Sequence, residues 1–236
     1  MRDVSFSARA GEFVTIVGPS GCGKSTLLYM LAGFIQADAG RIIVNGAPVA
    51  GPGLDRGIVF QEYALFPWLT VAQNIAYGLG ARKSPAAARE AVVRQLVRTI
   101  GLEGFENRYP AELSGGMKQR VAIARTLAYE PDILLLDEPL GALDALTREA
   151  MQDELLRLWK ATGKTIVMVT HDVDEAVYLS GRVLVMSRRP GAIVEAFDVT
   201  LDRSVPRERL VTSAEYGDLR NRIWLSVRRQ AQEASA

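Results

Sequence analysis

Phe13-Val-Thr-Ile-Val17, running into Gly18-Pro19-Ser20-Gly21-Cys22-Gly23-Lys24-Ser25-Thr26, is the stretch from which the rest of the 236-residue chain is read. The first five residues are mostly apolar and rich in β-branching, the composition of a buried strand. The next eight fit Gly-x-x-x-x-Gly-Lys-Ser, a phosphate-binding loop, and helical spacing follows from Ser25 to Leu31. Strand, glycine loop and helix together are the context that this pattern needs. Glycines let backbone N–H groups turn inward around a phosphate, and the helix start adds unpaired N–H groups and a positive dipole end. Lys24 is placed to reach the β- and γ-phosphates, and Ser25 to offer a hydroxyl to Mg²⁺. The competing reading, a glycine turn with an incidental lysine, does not account for the strand-to-helix setting.

Working outward, composition narrows the class. Hydrophobic residues make up 48% and charged residues 23% of the chain, ordinary for a globular protein. A net charge of +1 argues against a broadly basic nucleic-acid surface. No window approaches the roughly 18 apolar residues of a membrane span, and Met1-Arg-Asp-Val-Ser-Phe6 is no signal peptide. One cysteine excludes an internal disulfide, and a single histidine with that single cysteine argues against a zinc site. The expected place is the cytoplasm, with membrane contact only through a partner.

Along the chain, residues 1–17 read as β structure with a turn at Ala10-Gly11-Glu12, and Arg41–Asn45 as a strand before an Asn45-Gly46 hairpin turn. Gly57–Phe60 reads as a short buried strand ending at Gln61. From Val71 to about Tyr129 the spacing is helical, with Val92, Val93, Leu96, Val97 and Ile100 on one face and Ser84-Pro85 as a helix start. Strands return at Ile133–Leu136, Thr165–Val169 and Arg182–Met186, with helices at about 145–160 and 173–179 between them. Strand and helix in alternation imply an α/β fold with a largely parallel sheet. The expected organisation is a core of residues 1–66 and 130–200, a helical subdomain inserted at about 67–129, and a C-terminal helical extension at 201–236. Leu219, Ile223 and Val227, four apart, mark a docked or amphipathic terminal helix there. The arginines of that extension, Arg203, Arg207 and Arg220 among them, read as a solvated helix face.

Two further stretches carry chemistry. Ile133-Leu-Leu-Leu-Asp137-Glu138 delivers two carboxylates from a buried strand, Asp137 suited to Mg²⁺ and Glu138 to polarising a water. Ser114-Gly115-Gly116, opening a helix, is either a second anion-binding surface or an ordinary serine cap with glycines for close packing; the residues alone leave both open.

Taken in order, these pieces resemble the ATP-binding cassette (ABC) ATPases over essentially the whole chain. Gly18–Thr26 matches the phosphate loop, Gln61 the Q-loop, Leu113–Gln119 the signature, and Ile133–Glu138 the second acidic strand. Gly141-Ala-Leu-Asp144 matches the D-loop and Thr170-His171-Asp172 the switch. The resemblance implies a P-loop NTPase fold: a RecA-like core, an antiparallel β part towards the N-terminus and the inserted helices. It implies ATP and Mg²⁺ as cofactors, with Ser25, Gln61 and Asp137 as metal ligands. Glu138, His171, Lys24 and Gln61 are its catalytic residues, His171 as γ-phosphate sensor. It also implies a head-to-tail dimer in which Ser114, Gly115, Gly116 and Gln119 of one copy close on the nucleotide of the other. Cys22 reads as a small space-filling residue of the loop, with an alkylation-sensitive thiol as the other reading.

Within the family, Gly51–Gln61, Phe66–Val71, Asp137–Arg148 and His171–Ala176 are similar to cassettes of bacterial importers for nitrate, alkyl sulfonates and taurine, the taurine branch nearest. The resemblance implies a transmembrane permease touched through Gln61 to Leu69, a solute-binding protein acting indirectly, no nucleic acid, and a peripheral place on the cytoplasmic side of the membrane. Phe66 and Trp68 read equally as core aromatics. The alternatives are a soluble ABC ATPase acting on nucleic acid or ribosomes, and a cassette that binds without hydrolysing. The aromatic that stacks on adenine in such cassettes lies further upstream than the 17 residues before Gly18, and Phe6 is too close to replace it. The expectation is either a start internal to the reading frame or a weaker hold on adenine.

Overall fold

The computed structural model describes residues 1–80 and 86–232. Strand β1 (Phe13–Val17) lies within a six-stranded sheet and leads through the glycine loop into α1 (Lys24–Ala32). A two-stranded ribbon, β2 (Ile43–Val44) and β3 (Ala47–Pro48), precedes β4 (Arg56–Val59). Three helices follow, α2 (Val71–Leu79), α3 (Ala86–Thr99) and α4 (Gly115–Leu127), and then β5 (Ile133–Asp137), α5 (Ala145–Thr162), β6 (Thr165–Thr170), α6 (Val173–Leu179) and β7 (Arg182–Met186). The chain continues with β8 (Ile193–Asp198), α7 (Arg207–Val211) and α8 (Ala214–Gln232).

The sheet order is β4-β5-β6-β1-β7-β8, parallel throughout except for β8. Parallel pairing sends every loop that follows a strand to the same edge. The register sharpens this. Val17 pairs with Thr170 and Asp137 with Val169, so Gly18, Glu138 and His171 leave the sheet at nearly one level.

Alternation along the strands sets the two faces. Phe13, Leu134, Leu136, Ile166 and Met168 join the core beneath α5, α6 and α8, whereas Val14, Ile16, Leu135, Val167 and Val169 pack against α1. Phe13 meets the Trp159 ring edge-on at 5.6 Å. A third apolar cluster holds α2, α3 and α4 together, with Val93, Val97 and Ile100 buried and Val92 and Leu96 packed beside them. Thr70 and Gln73 close α2 with a reciprocal capping box. Ser84-Pro85 falls outside the described residues.

Several sequence expectations are corrected. Residues 1–12 form no strand; Val4 and Phe6 instead line one side of a cleft of about 730 Å³, together with Leu27, Ile43 and Leu135. The Arg41–Asn45 strand shrinks to Ile43–Val44, because its only ladder is the short ribbon. The turn itself holds: Asn45 (φ 50°) and Gly46 (φ 79°) are both left-handed, as a type I′ hairpin requires. Strand β8 has no clear sequence signal, since only Phe197 and its neighbours on one face are covered. It is antiparallel because residues 187–192 are too few for a crossover. Of the seven arginines Arg203, Arg207, Arg209, Arg220, Arg222, Arg228 and Arg229, four (Arg209, Arg222, Arg228 and Arg229) are exposed as expected, whereas Arg203, Arg207 and Arg220 are half-buried and engaged. Arg203 donates to Tyr178 O at 2.8 Å, Arg207 lies 4.1 Å over the Tyr178 ring and donates to Asp153, and Arg220 pairs with Asp174 at 2.7 Å. Together they bind the C-terminal segment back onto α5 and α6.

Candidate active site

The loop between β1 and α1 is built for an anion. Gly21 and Gly23 have φ of 74° and 107°, a region that a side chain strains. A Cβ on Gly18 would stand 2.6 Å from Met186 O. Gly23 caps α1 without a side chain, so the first-turn N–H groups point into the loop uncapped. Lys24 is buried, and its Nζ donates to Gly18 O at 2.9 Å and Pro19 O at 3.2 Å. Those carbonyls hold the ammonium at the centre of the loop. Cys22 is buried against Gly18 and Gly191, as a space-filling residue would be.

Ser25 Oγ donates to Asp137 Oδ1 at 2.8 Å, which joins the loop to the end of β5. A hydroxyl and a carboxylate side by side are hard oxygen donors, a set that suits Mg²⁺ once phosphate oxygens join it. Tyr29, one turn beyond Ser25 on α1, is close enough to Asp137 to feel its charge. Burial and the Asp137 carboxylate push the phenol up to about 12. Gln61 is exposed just past β4, on the edge where Asp137 ends.

Next in sequence, Glu138 has φ of 42°, unusual outside glycine and a common mark of strain at functional sites. Its N–H bonds to Val169 O at 2.9 Å and its carbonyl accepts from Gly141 N–H. Its Oε2 lies 2.9 Å from Nδ1 of His171. Behind His171, Thr170 donates to Glu175 Oε2 at 2.7 Å, and Asp172 caps α6 through the N–H groups of Asp174 and Glu175. Glu175 is 2% exposed; burial pushes its carboxyl up to about 7, and Thr170 and Arg148 offset only part of that.

Ser114 is exposed at the start of α4, its hydroxyl accepting from Met117 N–H. Gly116 is tightly packed, since a Cβ there would meet Thr147 at 2.8 Å, and a Cβ on Gly115 would meet Leu143 at 3.2 Å. The serine cap and the close-packing role are therefore both present. Gln119 differs from its companions. It is 0% exposed, with neither amide atom partnered among the described residues, so its side chain faces the core rather than any partner copy. The phosphate loop, Asp137, Glu138 and His171 are thus brought together, whereas Ser114 to Gly116 sit apart, on a helix packed against α2, β4 and α5. Sequence reading assigned no role to Tyr29, Arg148 and Glu175, which stand four residues from Ser25, four from Asp144 and three from Asp172; Arg148 and Glu175 fall in stretches that signalled only likeness to importer cassettes.

A glycine loop at a helix start, joined to a strand-end carboxylate at the edge of a parallel sheet, defines a P-loop nucleotide triphosphatase. The chain belongs to the ABC transporter family, whose model matches residues 1–141, and it is an ATP-binding, ATP-hydrolysing cassette. It is 55% identical over 194 residues to a taurine import ATP-binding protein of Burkholderia pseudomallei, covering 82% of this chain and 75% of that one. It is 49% identical over 223 residues to an aliphatic sulfonates import ATP-binding protein of Bacillus licheniformis, covering 94% and 85%. Among solved structures it is similar to a dimeric post-hydrolysis ATP-binding cassette bound to ADP and Pi, with a TM-score of 0.72, 32% identity and coverage of 83% and 89%.

Proposed function

We propose that this cassette drives a bacterial importer of a small anion, of the taurine, alkyl sulfonate or nitrate class, through a separate permease. The observation that carries the hydrolytic part is the Glu138–His171 pair at 2.9 Å, directly beyond the Ser25–Asp137 pair at 2.8 Å. Lys24 and the first-turn N–H groups of α1 bind the β- and γ-phosphates. Ser25, Asp137 and Gln61 hold Mg²⁺, which when bound neutralises charge on the phosphate oxygens. Glu138 accepts a hydrogen bond from the attacking water, and His171 steadies the γ-phosphoryl oxygens as charge moves to the leaving group. Two copies face each other head to tail, Ser114 and Gly115 of one offering the exposed α4 start to the nucleotide of the other. The dimeric relative supports the pairing of two copies.

The domain division follows the same reading: a core of 1–66 and 130–200, helices inserted at about 67–129, and an extension from 201. Trp68 is 70% exposed and stands beside Phe66, whose ring on its own part meets Tyr77. That exposure supports docking of the permease at Gln61 to Leu69, on the cytoplasmic face of the membrane. A solute-binding protein delivers the cargo to the permease. No described helix is long and apolar enough to cross a membrane.

Glu138→Gln is expected to bind MgATP but lose turnover by about 10²–10⁴, the range for removal of a general base; near-normal turnover refutes the role of Glu138. For the cargo, a strain lacking this chain is grown on single nutrient sources. Failure on taurine or alkyl sulfonates as sole sulfur source, with nitrate still used, supports the sulfonate reading; unimpaired growth on sulfonates refutes it.

A further inference from the structure

Glu138 and His171 stand on separate loops, and one side chain outside every motif for which a role is proposed touches both loops. Arg148 lies in the first turn of α5. Its Nη2 donates to Leu143 O at 2.8 Å and its Nε to Leu140 O at 3.4 Å. Both carbonyls belong to the paired turns after Glu138, where Gly141 N–H bonds to Glu138 O and Leu143 N–H to Leu140 O, each at 3.2 Å. The same Nε is 3.8 Å from Glu175 Oε1, and Nη1 is 4.0 Å from Asp172 Oδ2. Asp172 follows His171 directly, and its N–H bonds to the Thr170 hydroxyl that also donates to Glu175. One planar fork therefore grips the segment that carries Glu138 and the residues that flank His171.

We infer that Arg148 is a positioning residue for hydrolysis: it fixes where the His171 imidazole stands relative to Glu138. The inference rests on the proposed roles of those two residues. A purely structural account, in which Arg148 only offsets the charge of buried Glu175, makes a different forecast for lysine. Lysine keeps a cation near Glu175, but its single ammonium cannot reproduce a fork that donates to two carbonyls from separate nitrogens while facing two carboxylates. A displacement of about 1 Å in a catalytic group costs up to about a hundredfold in rate.

The test compares wild type, Arg148→Lys, Arg148→Ala and Glu138→Gln in the 236-residue chain. His171 is the only histidine, so one imidazole resonance, recorded by ¹H–¹³C NMR at fixed pH, reports its surroundings without assignment. Arg148→Lys is expected to melt within a few degrees of wild type, to keep its KM for MgATP within about threefold, and to lose about tenfold or more in kcat. Its imidazole resonance is expected to move. Arg148→Ala should change the same quantities further; if it does not fold, the lysine variant carries the test. Wild-type kcat with an unmoved resonance in Arg148→Lys overturns the inference, as does a fall in kcat that merely follows a fall in Tm. An inactive Glu138→Gln beside a fully active Arg148→Lys overturns the inference alone. An active Glu138→Gln overturns the underlying reading of the site as well.

Discussion

Replacing Glu175 with glutamine isolates the cost of burying a carboxylate behind the switch histidine. The folded protein holds this carboxyl at about 7 instead of the usual 4.5, mainly through burial, with the Asp172 charge adding to it and Thr170, Arg148 and His171 opposing. Below pH 4.5 the group is protonated in both folded and unfolded chains and has no effect on their balance. As pH rises from 4.5 towards 7, the unfolded chain releases its proton first, and stability falls. Above 7 both states are ionised and the loss is complete. The gap between 4.5 and about 7, at roughly 1.4 kcal/mol per pH unit, amounts to about 3 kcal/mol. Glutamine keeps an acceptor for the Thr170 hydroxyl and has no proton to lose. Urea unfolding of wild type and Glu175→Gln, followed by tryptophan fluorescence from pH 4.5 to 8, gives the comparison. The stability of wild type relative to the variant should fall by about 3 kcal/mol over that span, mostly below pH 7. A difference that does not vary with pH refutes the reasoning.

Two other substitutions test how the site is framed. A Cβ on Gly191 would come within 2.3 Å of Cys22 O and 2.5 Å of Met186 Cε, so Gly191→Ala must displace the phosphate loop or its own turn. It should cost about 1–3 kcal/mol in unfolding free energy and weaken the binding of a fluorescent ATP analogue; wild-type affinity would show that the turn yields instead. Trp68→Ala should leave the ATPase activity of the isolated cassette unchanged while abolishing ATP-driven uptake in vesicles that contain the permease. Full uptake by that variant removes the docking surface from the proposal.

Local chemistry alone settled much of this protein. The turn from β1 into α1 follows from glycines at left-handed positions and from helix N–H groups without a capping side chain, both written in consecutive residues. Ser114, Asp144 and Asp172 cap their helices because a short oxygen-bearing side chain reaches N–H groups only two or three residues on. The buried strands β5, β6 and β7 were legible because parallel strands covered on both faces are continuously apolar.

What only the tertiary structure decided involves partners far apart in sequence. The 1–12 segment lacks strand form because no neighbour strand pairs with it, which its composition cannot reveal. Gln119 belongs to a motif yet points into the core, since the face that a helix residue presents depends on what packs against the helix. Trp68, on the turn before α2, is exposed because nothing in the described chain packs over it. The grip of Arg148 on Leu140, Leu143, Asp172 and Glu175 unites two loops from different strands. Only the register of β5 and β6 brings those loops within reach of one guanidinium.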